Sequence, residues 1–108
     1  MEGKYDFNKT LVEILIVEDS LTQAMMLKYI LEREGYVVRT ANNGQEALIS
    51  ISRARPTIII SDILMPEMDG YQLCKRLKSD PNLKDIPVML LTAPLRYQRC
   101  LERLRMRG

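Results

Sequence analysis

Histidine is absent from all 108 residues, so chemistry must run on carboxylates, hydroxyls, lysines and backbone. That removes Ser-His-Asp catalysis, Cys-His catalysis and His-ligated zinc together. Four polar side chains stand out by their place in the chain. Glu18 and Asp19 follow one short apolar run, Asp62 ends another, and Thr92 ends a third. Carboxylates brought together repel one another, and without a counter-charge at least one pKa rises. A small set of hard oxygen donors suits Mg2+, which keeps several waters and bridges to phosphate. A carboxylate beside such an ion can attack phosphorus and become an aspartyl phosphate, and the Thr92 hydroxyl can donate to a phosphoryl oxygen. Each residue alone has a plainer role. An acidic pair after a strand is most often a helix N-cap, and an Asp at a strand end is commonly a cap or turn residue. Recurrence after three separate strands is what favours chemistry. No GxGxxG or GxxxxGK[ST] run is present, so dinucleotide and P-loop sites have no support.

The elements that must gather these residues follow from the apolar pattern. Residues 12–17 (V-E-I-L-I-V) are rich in β-branched side chains and predict a buried strand. Asp19 or Ser20 can then cap a helix reaching Glu34. Within it Gln23, Met26, Leu27 and Ile30 stand at i, i+3, i+4 and i+7, with Leu31 beside them, and Met25 and Met26 read as core filler. Gly35 stops the helix. Residues 36–40 predict a second strand. Asn42, Asn43 and Gly44 turn into a helix over about 44–52 with Ala47, Leu48 and Ile51 inward, and Pro56 ends that connection. A third strand, 57–61, holds Ile58, Ile59 and Ile60, buried on both faces if the sheet is parallel, and ends on Asp62. A helix then places Leu73, Cys74 and Leu77 on one side until Asp80-Pro81-Asn82 breaks it. A fourth strand, 86–91, ends on Thr92, and the chain from Leu95 reads as a further helix. The order β-α-β-α-β-α-β-α predicts an α/β fold with a doubly wound parallel sheet. Such sheets bind ligands at the carboxyl ends of their strands, at a topological switch point. With strands one and three adjacent, as in a flavodoxin-like order, Glu18, Asp19 and Asp62 converge on one crevice.

Composition sets the bounds. The length suits one domain, and 46% hydrophobic with 28% charged residues is an ordinary soluble globular balance. Apolar runs are too short to span a bilayer, and Glu2, Lys4 and Asp6 stand where a signal peptide would be apolar. The cysteines lack metal-like spacing and read as reduced thiols. The expected location is the cytoplasm, with no membrane partner. The net charge of +2 conceals a basic tail, with Arg96, Arg99, Arg103, Arg105 and Arg107 against Glu102. Such a tail can attract nucleic acid, but only Tyr97 interleaves it and no separate DNA-binding unit is visible, so nucleic acid is not an expected partner.

Four segments resemble the receiver family of response regulators in two-component signalling: I-L-I-V-E-D-S at 14–20, A-N-N-G-Q-E-A-L at 41–48, I-I-I-S-D-I-L-M-P-E-M-D-G at 58–70 and I-P-V-M-L-L-T-A at 86–93. The resemblance spans 12–93, and the D-x-x-M-P-x-M-D-G run is highly specific. It implies a phosphoacceptor in which Asp62 takes a phosphoryl group from a histidine kinase or phosphotransfer protein, the donor supplying the histidine missing here. It further implies that Glu18, Asp19, Asp62 and the backbone carbonyl of Leu64 hold Mg2+. Thr92 would be the switch hydroxyl, Ala93 the small residue that leaves the site open, and Met65, Pro66 and Gly70 would shape the loop beyond the acceptor. No enzymatic activity is implied beyond Mg2+-dependent self-phosphorylation from a phosphodonor and autodephosphorylation.

The chain departs from the family after the fourth strand. There the family continues through a helix, a fifth strand ending in a lysine that pairs with the phosphoryl group, and a last helix. Here no lysine follows Lys84. In a second reading frame, one nucleotide shorter after Ala93, residues 94–108 become L-S-D-T-R-D-V-L-R-G-L-E-C-G-A, which does resemble that continuation. The expectation is therefore a lead-in over 1–11 and a single receiver domain over 12–108 whose tail, 94–108, is atypical and frameshifted. The strand order would be 2-1-3-4, with the fifth strand and last helix missing. An unpaired fourth-strand edge invites a homodimer. The missing lysine leaves an alternative function: a receiver-like binding module that does not switch. The coding DNA tests the tail, since codons unable to give the second reading exclude a frameshift.

Overall fold

In the computed structural model, which describes residues 11–63, 65, 68–92 and 96–99, the apolar runs pair into one sheet. Strands β1 (Glu13–Val17), β2 (Val37–Ala41), β3 (Ile58–Asp62) and β4 (Val88–Thr92) are parallel and lie in the order β2-β1-β3-β4. Helices α1 (Leu21–Arg33), α2 (Gly44–Arg53) and α3 (Gly70–Lys78) follow the first three strands. This is the expected doubly wound sheet, with its flavodoxin-like 2-1-3-4 order. The lead-in before Leu11, Leu64, Pro66, Glu67, Ala93, Pro94, Leu95 and the tail beyond Arg99 lie outside the described residues. No described helix is long and apolar enough to cross a membrane.

Local chemistry fixes the helix ends. Ser20 caps α1, its Oγ accepting from the Gln23 N–H at 3.3 Å, and Asn43 caps α2, its Oδ1 accepting from the Glu46 N–H at 2.9 Å. Past α1, Gly35 takes φ +98°, and the N–H groups of Gly35 and Tyr36 return to the carbonyls of Glu32 and Leu31 at 3.0 and 3.2 Å. This left-handed close to the helix suits glycine. At the end of α3, Lys78 Nζ donates to the carbonyls of Lys84 (2.8 Å) and Ile86 (2.9 Å), tying the helix to the approach of β4. Loss of water holds that ammonium below the usual lysine range, against the opposing pull of Asp85.

The two faces of the sheet are covered unequally. On one face Leu15, Val17, Ile59, Val88 and Leu90 pack with Ala47 and Ile51 of α2 and Leu73, Cys74 and Leu77 of α3. On the other, Ile14, Ile16 and Val38 pack with Leu27 and Leu31 of α1. Here the sequence expectation needs correction. The inward stripe of α1 is Ala24, Leu27 and Leu31, whereas Gln23, Met25, Met26 and Ile30 face outward. Met25 and Met26 are therefore not core filler. The helix is apolar around most of its circumference, so a 3.6-residue period cannot choose its phase. Nor are all three isoleucines of β3 fully buried. Ile59 is, but Ile58 and Ile60 are only partly so, because α1 lies over β1 and β2.

The tail differs as well. The helix anticipated from Leu95 gives way to a fifth strand, β5 (Arg96–Arg99), antiparallel to β4 and running from Thr92↔Arg96 to Met89↔Arg99. The edge of β4, expected to be open and to form a homodimer seam, is closed by the chain itself. Unpaired N–H and C=O groups take the nearest available strand, and only residues 93–95 separate the two. Cys74 is disulfide-bonded, against the expectation of reduced thiols. Sequence separation alone cannot reveal that a buried cysteine is bonded. The other cysteine of the chain, Cys100, lies outside the described residues.

The contrast between buried and exposed helix positions predicts a contrast in stability. Leu77→Ala, in the sealed layer, lowers the unfolding free energy by about 2–5 kcal/mol. Ile49→Ala, at a position 54% exposed on α2, changes it by less than about 1 kcal/mol. Urea titration of the two variants checks this.

Candidate metal centre

Parallel strands end together, and register decides which residues meet at that edge. Val17 of β1 pairs with Ser61 of β3, and Asp62 pairs with Leu91 of β4. Glu18 and Asp19 thus leave β1 at the level where β3 reaches Asp62. One carboxylate oxygen from each of Glu18, Asp19 and Asp62 lies within 4.8 Å of the others.

The three acids sit in different surroundings. Glu18 is buried, 3% exposed, while Asp62 is half-buried and Asp19 exposed. The Glu18 N–H donates to the Ala41 carbonyl at 3.0 Å, which anchors the backbone to β2. Its Oε2 accepts from the Ser20 N–H at 3.0 Å. Loss of water pushes the Glu18 carboxyl above the usual range. The Ser20 bond opposes that rise, and the charges of Asp62 and Asp19 add to it. A buried acid held among like charges calls for a cation. All three donors are hard oxygens, with no nitrogen or sulfur among them, which fits Mg2+ far better than a soft metal.

Asp62 is positioned from both sides. The buried Ser61 donates its Oγ–H to the Asp62 carbonyl at 2.9 Å. Beyond it, the Gly70 N–H donates to the Ile63 carbonyl at 2.8 Å and closes the loop. A Cβ on Gly70 would come within 2.5 Å of the Asp62 carbonyl oxygen and 3.0 Å of the Ile63 Cα, so only glycine lets α3 begin there. Asp69 caps α3 in a reciprocal box. Its Oδ1 accepts from the Gln72 N–H at 2.9 Å, and Gln72 Oε1 accepts from the Asp69 N–H at 3.0 Å. Met65 buries its side chain in the core, 9% exposed. Met68 reaches α2 at Gly44, where an added Cβ would sit 2.7 Å from its Sδ.

The structure therefore brings together Glu18, Asp19 and Asp62 as expected. Thr92 ends β4 at the same edge, and β5 sets Arg96 opposite it by register. The Thr92 side chain and the whole of Leu64 lie outside the described residues. Sequence reasoning missed the Asp69–Gln72 box, which was legible as D-x-x-Q before a helix. It also missed why position 70 must be glycine, because the clash is with the backbone of β3 and leaves no local pattern.

Comparison with known proteins gives a consistent picture. A family model described as the response regulator receiver domain matches residues 14–106. The response regulator PleD of Caulobacter vibrioides is 44% identical over 80 residues, covering 74% of this chain and 18% of PleD. The chain thus spans less than a fifth of that relative. Among solved structures, the signal receiver domain of a signal transduction histidine kinase from Syntrophus aciditrophicus superimposes with a TM-score of 0.76. It is 55% identical, over 90% of this chain and 73% of that one. The response regulator TrrA of Thermotoga maritima, in complex with Mg2+-BeF, gives a TM-score of 0.72 at 35% identity, over 77% of this chain and 70% of that one.

Two outcomes are expected of the isolated site. Without a divalent cation, the raised Glu18 carboxyl means that the folded chain holds its proton more tightly than the unfolded chain. Its contribution to stability is then full below the unfolded carboxylate range and is lost as pH rises through the folded value. Urea titrations in EDTA, taken at pH values rising from the unfolded carboxylate range, should show that decline, and Glu18→Gln should flatten it. Gly70→Ala should cost about 2–4 kcal/mol, seen as a lower urea midpoint, because backbone cannot move aside as a side chain can.

Proposed function

Because the chain belongs to the response regulator receiver domain family, we propose that it takes a phosphoryl group on Asp62 within a two-component phosphorelay and switches an output. The observation that carries this is the meeting of Glu18, Asp19 and Asp62 within 4.8 Å at the carboxyl edge of the sheet. The donor is a phosphohistidine on a histidine kinase or phosphotransfer protein. Mg2+, when bound, supplies the positive charge that offsets the acids and the phosphoryl oxygens. Glu18, Asp19 and Asp62 hold it, and the family resemblance adds the Leu64 carbonyl. The TrrA complex with Mg2+-BeF supports the same choice of metal.

Within this reading the division of labour follows from burial. Glu18, sealed and fixed by Ser20, is suited to holding the ion. Asp62, half-buried at the strand end, is reachable by a donor. One Asp62 carboxylate oxygen forms the new bond to phosphorus as the P–N bond to the donor imidazole breaks, and the leaving imidazole takes up a proton. Ser61 and Gly70 hold the Asp62 backbone in place, which is the positioning on which such transfers rely. The Thr92 hydroxyl, by the resemblance, donates to the phosphoryl group and carries the switch. Residues 12–108 act as one receiver unit in the cytoplasm, with no further enzymatic activity than self-phosphorylation and autodephosphorylation.

A second reading, a receiver-like module that binds metal without switching, is favoured by one observation. The strand beside β4 is antiparallel, with Arg96 opposite Thr92, where the family resemblance implies a strand ending in a lysine that pairs with the phosphoryl group.

Intact mass spectrometry after incubation with Mg2+ and a small acyl phosphate separates the two. The phosphoacceptor reading expects a single phosphoryl adduct that vanishes in Asp62→Asn and in EDTA, and that forms at least about tenfold more slowly in Asp19→Asn. Mg2+ binding without any adduct would refute it in favour of the second reading.

A further inference from the structure

Two features on one face of the sheet fit each other. The first is α1. Its inward stripe of Ala24, Leu27 and Leu31 meets β1 and β2, yet Leu21 (71%), Met25 (56%), Met26 (58%), Tyr29 (62%) and Ile30 (52%) are exposed on its remaining sides. A helix that is apolar all round is ordinarily buried all round. The second feature is the strip of sheet beside it. By register, Ile58 and Ile60 of β3 share this face with Met89 and Leu91 of β4, and all four are only partly buried. Their neighbours on the opposite face, Ile59 and Leu90, have no exposed surface. Among the described residues no helix lies over this strip, and β5 extends the sheet in its own plane without covering it. Two strands span about 10 Å, the width of one α-helix with its side chains.

We infer that a second copy of this chain covers this face, with the α1 of each copy filling the helix-wide strip over β3 and β4 of the other. The result is a two-fold arrangement of sheet, paired α1 helices and sheet, in which each α1 is apolar toward its own sheet and toward its partner's. A two-fold contact requires one surface to be self-complementary, and here the same face carries both the projecting helix and a strip that no described helix covers. The area is adequate. With about 200 Å² for a large side chain, the exposed part of α1 offers on the order of 500 Å², already at the upper end of patches on ordinary monomers. The strip and the exposed Tyr36 bring it toward the roughly 800 Å² per partner of a stable interface. Polar groups stand among these side chains, as in interfaces generally: the Lys28–Glu32 ion pair at 3.5 Å, and Arg33, which lies over the Tyr29 ring at 5.6 Å.

Sedimentation velocity on the whole chain, from about 1 to about 200 μM, tests the inference. A dimer is expected. Met26→Glu with Ile30→Glu, and separately Met25→Glu with Tyr29→Glu, should each raise its dissociation constant at least about tenfold with an unchanged far-ultraviolet circular dichroism spectrum. Gln98→Pro, which breaks pairing along β5, should leave the dimer intact. A wild-type chain that stays monomeric at every concentration would overturn the inference, since the strip is then covered by the chain's own termini or reserved for a different protein's helix. So would a dimer lost in Gln98→Pro but kept in both α1 variants, because that is edge pairing.

Discussion

Like charges brought within a few ångströms are the constraint around which this molecule is organised. Glu18, Asp19 and Asp62 meet because β1 and β3 are adjacent, parallel and in one register. No slip of that register is tolerable, since one residue would turn every inward side chain of the strand outward. The apolar packing that sets the register is thus also what holds the acids against their repulsion. Leu15, Val17 and Ile59 are fully buried, and they lie immediately behind the charged edge. Fold stability and site chemistry share the same residues, with the hydrophobic layer bearing the electrostatic load.

Among the described residues that layer is finished on one side only. With α2 and α3 in place, the face carrying Ile59 and Leu90 is sealed. The face carrying Ile58, Ile60, Met89 and Leu91 has α1 over its β1–β2 half. Parallel sheets ordinarily have both faces covered. The antiparallel pairing of β5 resolves the edge of β4 and does not itself cover the face, so among the described residues the apolar liability moves from backbone groups to side chains. The remedies differ in kind: an edge needs hydrogen bonds, a face needs another apolar surface.

Much of this was legible in the residues. Strand positions, the 2-1-3-4 order and the meeting of the three acids all followed from short β-branched runs separated by helical stretches and ending on polar residues. Those signals are strong because each strand is bounded by a turn or cap that says where it stops. The misreadings share one cause, the absence of a unique pattern. Leu21 to Ile30 offers apolar residues in every direction, so periodicity could not pick Ala24 as the inward residue. Residues 96–99 have no apolar alternation at all, and become a strand because an edge lies within reach. Gly70 looks like any glycine before a helix until the Asp62 carbonyl is seen 2.5 Å from where its Cβ would be. The disulfide at Cys74 has no local signal.

The capping of α1 by Ser20 has an electrostatic consequence. Because the cap follows Glu18 and Asp19 directly, the first turn of α1 opens onto the acidic cluster. The aligned peptide dipoles of a helix concentrate about half a positive charge at that end. The backbone of α1 therefore answers part of the negative charge before any ion arrives, and the acids in turn hold down the first turn of a helix whose side chains grip the sheet along a single stripe. Whatever neutralises the cluster loosens that hold, so the charge state of the site is also a control on how firmly α1 is seated.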